Sequence, residues 1–124
     1  MKITFIAHSA FLVEWDKFYT LFDYVYEPDY TGTLPPLDPQ KPLLVFSSHS
    51  HEDHFDGKVF GLLEQYPLTQ FFVSRDTRLT ERRRKWLGIS DEAFARTTVL
   101  RPDSILLTEA AGEELSVRAI KSTD

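Results

Sequence analysis

Lys41-Pro42-Leu43-Leu44-Val45-Phe46-Ser47-Ser48-His49-Ser50-His51-Glu52-Asp53-His54 joins a short apolar run to a loop that holds three of the chain's four histidines. Lys41 to Phe46 reads as a short buried strand, and Ser47-Ser48 ends it. Asp56-Gly57 then opens a stretch in which Val59, Leu62, Leu63 and Tyr66 recur at helical spacing, and Pro67 stops it. Strand, polar loop and helix in that order indicate an α/β arrangement. They place the histidines at the carboxyl end of a strand, a common location for ligand sites in such sheets.

Imidazole nitrogens and carboxylate oxygens are standard ligands for zinc and related divalent ions. His49, His51, Asp53 and His54 supply four such groups at offsets of two, two and one, so a sharp turn of the backbone can converge them. A polar turn that merely happens to be rich in histidine would explain one such residue better than four. The chain has no cysteine, which excludes a closed thiolate site and leaves an open, nitrogen- and oxygen-ligated site of the catalytic type. The histidines must be neutral to ligate, so binding should weaken as pH falls through the histidine range. Ser50 and Glu52 alternate away from the ligands and receive no direct chemistry.

The pattern His-x-His-x-Asp-His resembles the signature of the metallo-β-lactamase-fold hydrolases. Met1 to Glu14 (MKITFIAHSAFLVE), with Leu21-Phe22-Asp23 after a turn, is similar to the opening hairpin of the branch with lactonase-like and phospholipase-D-like members. Phe71-Phe72-Val73-Ser74 falls where that fold has its next strand. The resemblance implies an αββα sandwich of class α/β (α+β), with this chain covering about the first αβ half. It implies that His49 and His51 serve one metal, and Asp53 and His54 a second. Zinc is the implied metal, two ions in the full fold, with manganese or iron as alternatives. Asp53 would then also be catalytic, orienting a metal-bound hydroxide toward an ester, lactone or phosphodiester. The family's later ligands, a further histidine, a bridging aspartate and a final histidine, have no matching position here. The expectation is therefore one domain over residues 1–124, truncated relative to the family, that turns over poorly by itself.

Lys2 to Ala7, Ala10 to Trp15 and Phe18 to Tyr24 read as a hairpin or meander at a sheet edge. Tyr26 to Pro42 holds five of the seven prolines and reads as a loop, either flanking a substrate entrance or simply connecting. Gln70 to Ser74 is the next strand. Arg75 to Leu87 is expected as a helix with Leu79 and Trp86 on its buried side and Gly88 ending it. Ser90-Asp91-Glu92 begins a short helix through Phe94. Thr98 to Leu100, Ser104 to Thr108 and Leu115 to Lys121 complete the strands. Phe5, Phe11, Phe46, Phe60, Phe71 and Phe72 are expected in the core. The run Arg82-Arg83-Arg84-Lys85 is expected on a solvated helix face.

Two residues outside the motif carry open readings. His8 is either a contact near the pocket or an ordinary hydrogen-bonded histidine. Asp23 either orients a metal-binding histidine through its second ring nitrogen or caps a turn.

With 124 residues, 42 % of them hydrophobic and 14 % aromatic, the chain can fill one small core. No apolar run approaches membrane-spanning length and no signal peptide is evident, so a cytoplasmic protein is expected. A net charge of −5 argues against broad nucleic-acid binding. The expected partner is a small-molecule substrate. Two other functions keep the same ligands: a non-catalytic metal-binding half-domain that pairs as a homodimer through its exposed sheet face, and an iron-dependent oxidoreductase of the same fold.

Overall fold

Leu43–Ser47 forms β4, and both faces of this strand are buried: Leu43 and Val45 point one way, Leu44 and Phe46 the other. A strand with no solvated side has no place for a polar residue, which accounts for its unbroken apolar sequence. The structure is a computed structural model and describes residues 1–7, 9–24, 34–49 and 57–120. Within these, β1 (Lys2–Ala7), β2 (Ala10–Glu14) and β3 (Tyr19–Phe22) form an antiparallel meander. The strand β4 joins β3 in parallel, and β5 (Thr69–Ser74) and β6 (Thr97–Leu100) continue in parallel. The result is a six-stranded mixed sheet in sequence order, with helices and a hairpin added to give an α+β architecture.

One face of the sheet carries Leu12, Leu21, Leu43, Val45, Phe71 and Val73 against the helical layer. That layer consists of a 3-10 turn (Gly57–Gly61) running into α1 (Leu62–Gln65), then α2 (Glu81–Trp86) and α3 (Asp91–Ala95). The α3 helix begins as its sequence indicates, with the Ser90 hydroxyl accepting the Ala93 N–H at 3.1 Å. Residues 34–42, the described end of the proline-rich stretch, are tied to the same core. Leu37 is buried, and the Asp38 N–H donates to the Tyr19 hydroxyl at 3.0 Å.

The other face is covered by a hairpin of β7 (Ile105–Ala110) and β8 (Glu113–Arg118). Ala111 and Gly112 both have positive φ, 53° and 80°, the backbone that a two-residue hairpin turn demands. Leu106, Ala110 and Leu115 of the hairpin pack on Phe18, Leu44, Phe46, Phe72 and Leu100. On this face the register aligns one phenylalanine from each of five strands: Phe5, Phe11, Phe22, Phe46 and Phe72. Phe22 and Phe46 stack at 5.1 Å between ring centroids, and Phe46 and Phe72 at 4.9 Å.

Three expectations need correction. Phe5 and Phe11 are exposed rather than in the core, because the hairpin covers the β4–β6 end of that row and not the β1–β2 end. The expected helix from Arg75 to Leu87 is broken. Arg75–Thr77 forms a 3-10 turn that closes on a left-handed Arg78 (φ 51°), and α2 starts afresh after its Thr80 cap. The restart resets the helical phase, so Trp86 is 80 % exposed and Arg84 turns inward. Arg84 is therefore not on the solvated face expected for its run, while Arg82 and Lys85 are exposed. Its guanidinium donates to the Ile89 carbonyl at 3.3 Å, reaches the Glu81 and Asp91 carboxylates at 2.5 Å each, and lies over the Phe94 ring. Lys121, the end of the last expected strand, lies outside the described residues.

Phe72→Ala should lower unfolding free energy by about 3–5 kcal/mol, since it removes a buried ring from both stack and core. Trp86→Ala should change it by less than about 0.5 kcal/mol. Urea denaturation checks both, and a large loss for Trp86→Ala would contradict the restarted helix. The Arg84 hydrogen bond holds the Glu81 carboxyl below its ordinary value of 4.5. Its contribution is present above that value and lost as pH falls through the lowered one. Glu81→Gln should accordingly reduce the acid dependence of stability below about pH 4.5, measured as melting temperature against pH.

Candidate metal centre

Asp23 ends β3 in a conformation rare for a residue with a side chain, φ 52°. Its N–H first completes the parallel ladder, donating to the Phe46 carbonyl at 2.8 Å. The left-handed turn then directs the carboxylate across the sheet to the end of β4. There Oδ1 accepts the Ser48 N–H and Oδ2 the Ser48 hydroxyl, each at 2.7 Å. The same Ser48 Oγ lies 2.9 Å from Nδ1 of His49.

A proton count over these bonds points to one tautomer. An ionised carboxylate only accepts, so the single hydroxyl proton of Ser48 goes to Asp23. Ser48 Oγ then accepts from His49, which puts the imidazole proton on Nδ1 and the ring's lone pair on Nε2. Metal-binding histidines are oriented in this way, with the second ring nitrogen donating to a partner that fixes the ring and raises its basicity. His49 thus meets the chemical requirement for a ligand. Of the two readings of Asp23, the cap is present, on the Ser48 amide, and the carboxylate is linked to His49 through the Ser48 hydroxyl.

His49 is the motif ligand that the described residues include. His51, Asp53 and His54 lie outside them, as do Ser50, Glu52 and His8. Among the described residues, no three His, Asp or Glu side chains converge to hold an ion.

Half-buried His49 stands at one end of a cleft of about 920 Å³ between the phenylalanine face of the sheet and β8. The carboxyl ends of β4 and β5 give this end its polar groups: Ser47, Ser48, Ser74, Arg75 and Asp76. The Ser74 hydroxyl donates to the Asp76 carboxylate, and the Thr77 hydroxyl donates to the Ser74 carbonyl at 2.8 Å. Away from that end the walls are apolar, with Phe22, Phe46, Phe72, Leu115 and Val117 among them. Sequence reasoning missed Ser48 as the link between Asp23 and His49. The available signal was a hydroxyl residue directly before the first motif histidine. The cleft had no sequence signal, because it is formed by elements far apart in the chain.

No protein-family model matches this sequence, and no curated protein matches it. Among the described residues, no helix is long and apolar enough to cross a membrane.

If His49 ligates zinc, Ser48→Ala should weaken that binding by about 10–100-fold without unfolding the chain, because Ser48 is exposed and contacts the ring through its hydroxyl. Ser48→Thr, which keeps the hydroxyl, should restore most of it. Asp23→Asn tolerates the left-handed backbone. Its amide would donate to Ser48, turn that hydroxyl toward Nδ1 and favour the tautomer protonated at Nε2, so it should weaken zinc as Ser48→Ala does. Calorimetric titration with zinc measures all three, and an unchanged affinity for both Ser48→Ala and Asp23→Asn would remove the chain's role.

Proposed function

We propose that this chain carries a metal-dependent hydrolytic centre of the metallo-β-lactamase type, built on His49, His51, Asp53 and His54. The observation that supports the reading is the Asp23–Ser48–His49 chain, which holds Nδ1 of the first motif histidine at the carboxyl end of β4. A histidine serving only as a polar turn residue has no need of a carboxylate-anchored tautomer. The position also agrees with the rule that ligands bind beyond the carboxyl ends of parallel strands.

The chemistry of the donor set, three imidazoles and a carboxylate, suits zinc, with manganese or iron as alternatives. When bound, such ions supply Lewis acidity and lower the pKa of a water toward neutrality. In this reading His49 and His51 hold one ion, Asp53 and His54 a second, and Asp53 also orients the attacking water. Asp23 and Ser48 keep the His49 ring in its ligating tautomer. The mouth of the cleft beside His49 receives the substrate, an ester, lactone or phosphodiester. Ser74, Arg75 and Asp76 offer it polar contacts and the phenylalanine face an apolar wall.

Zinc or manganese titration should show binding, and His51→Ala or Asp53→Ala should weaken it by at least about 100-fold, more than loss of an outer partner does. Equal affinities in wild type and both variants would refute the site. Metal analysis after expression separates a zinc or manganese centre from an iron one. Assays with lactone and phosphodiester substrates, run with and without a chelator, separate a hydrolase from a centre that only binds.

A further inference from the structure

The phenylalanine face of the main sheet is covered unevenly. The hairpin lies over β4 to β6, where Leu44 and Phe72 are buried. Over β1 to β3, Ile3, Phe5, Phe11, Trp15 and Phe22 remain 61, 61, 42, 40 and 37 % exposed. In cross-section the described residues form a step: six strands in one layer, and two strands over one half of it.

Two strand edges border that step. Among the described residues, β1 is terminal in the main sheet, with β2 as its neighbour, and β8 pairs with β7 alone. Residues of β8, not of β7, line the cleft beside Val13, Trp15 and Phe22, so the open edge of β8 faces the uncovered half. Its direction follows from its two ends. Glu113 lies 4.0 Å from Lys17, before the start of β3, while Arg118 and Ala119 share the cleft with Ser74 at the end of β5. The strand β8 therefore runs the same way as β3, and hence as β1.

We propose that the uncovered half is occupied by a second copy of this chain, related by a twofold axis parallel to the strands. That rotation sets the partner's β1–β3 half face to face on this one, in the layer of the hairpin. It brings the partner's β1 alongside the open edge of β8, parallel to it, and the reverse contact forms on the other side. Each layer then holds eight strands, and the two edges that border the step, β1 and β8, are paired. Charge is complementary at one end of the seam, where Lys2 of β1, already near Glu14, would meet Glu113 and Glu114 of β8, of which Glu113 is already near Lys17.

The area is also sufficient. At roughly 200 Å² for each large apolar side chain, the five exposures leave roughly 500 Å² per copy. The pair thus buries about 1,000 Å² before the strand edges are counted, the threshold for a specific interface. In the pair, the open side of each cleft is walled by the other copy.

Sedimentation equilibrium of the apo chain at about 100 µM, ample for an interface of this size, should give twice the 14.4 kDa chain mass. Ile3→Glu and Phe5→Glu lie on an exposed edge strand, so each should return a monomer with unchanged far-ultraviolet dichroism. The chain has no cysteine, so a Thr4→Cys copy mixed with a Ser116→Cys copy should couple through a short bismaleimide. A monomeric wild type overturns the proposal, meaning that something other than a second copy suits this face. A dimer that persists in Phe5→Glu overturns it too, as does coupling of Ser116→Cys only to itself.

Discussion

The dry, two-sided burial of β4 is the constraint on which the other elements depend. Leu43, Leu44 and Val45 are each at most 2 % exposed, so layers must exist above and below this one strand. A strand of that kind cannot sit at an edge or on a surface. Its parallel neighbours β3 and β5 supply the ladder, the helices close one face, and the hairpin closes the other. The carboxyl end of such a strand is also where the backbone must leave the dry core. Ser47, Ser48 and His49 stand at that exit, which is why the polar chemistry concentrates there.

The same constraint explains why a carboxylate from β3 can govern a histidine beyond β4. Parallel pairing in register puts Phe22 beside Phe46, so the residues that follow them emerge side by side. Asp23 needs only its left-handed turn to reach across one strand spacing. In an antiparallel pair the chain would leave β3 at the opposite end from β4, and the two residues would lie a strand length apart. The orientation of His49 is thus a product of topology before it is one of side-chain choice.

Element types were legible wherever the local pattern and the tertiary environment agreed. The opening meander, the strands around β4 and β5, the capped α3 and the individual strands β7 and β8 follow the alternation, apolar runs and capping residues of their own segments. The pairing of β7 with β8 was not read from them. The Arg75 to Leu87 segment was misread because its apolar spacing suits one continuous helix. A left-handed Arg78 interrupts it and exchanges the roles of Trp86 and Arg84. Phe5 and Phe11 were misread for a different reason. Strand alternation identifies the face on which a side chain lies, but not whether another layer covers that face.

The sequence by itself determined the two-sided strand, because its unbroken apolar run is written in adjacent residues. Only the tertiary structure decided that Ser48 passes the hold of Asp23 to His49, and that the phenylalanine row is covered at one end and bare at the other. Both depend on which strands become neighbours. That choice rests on contacts between residues distant in the chain, which no local pattern encodes.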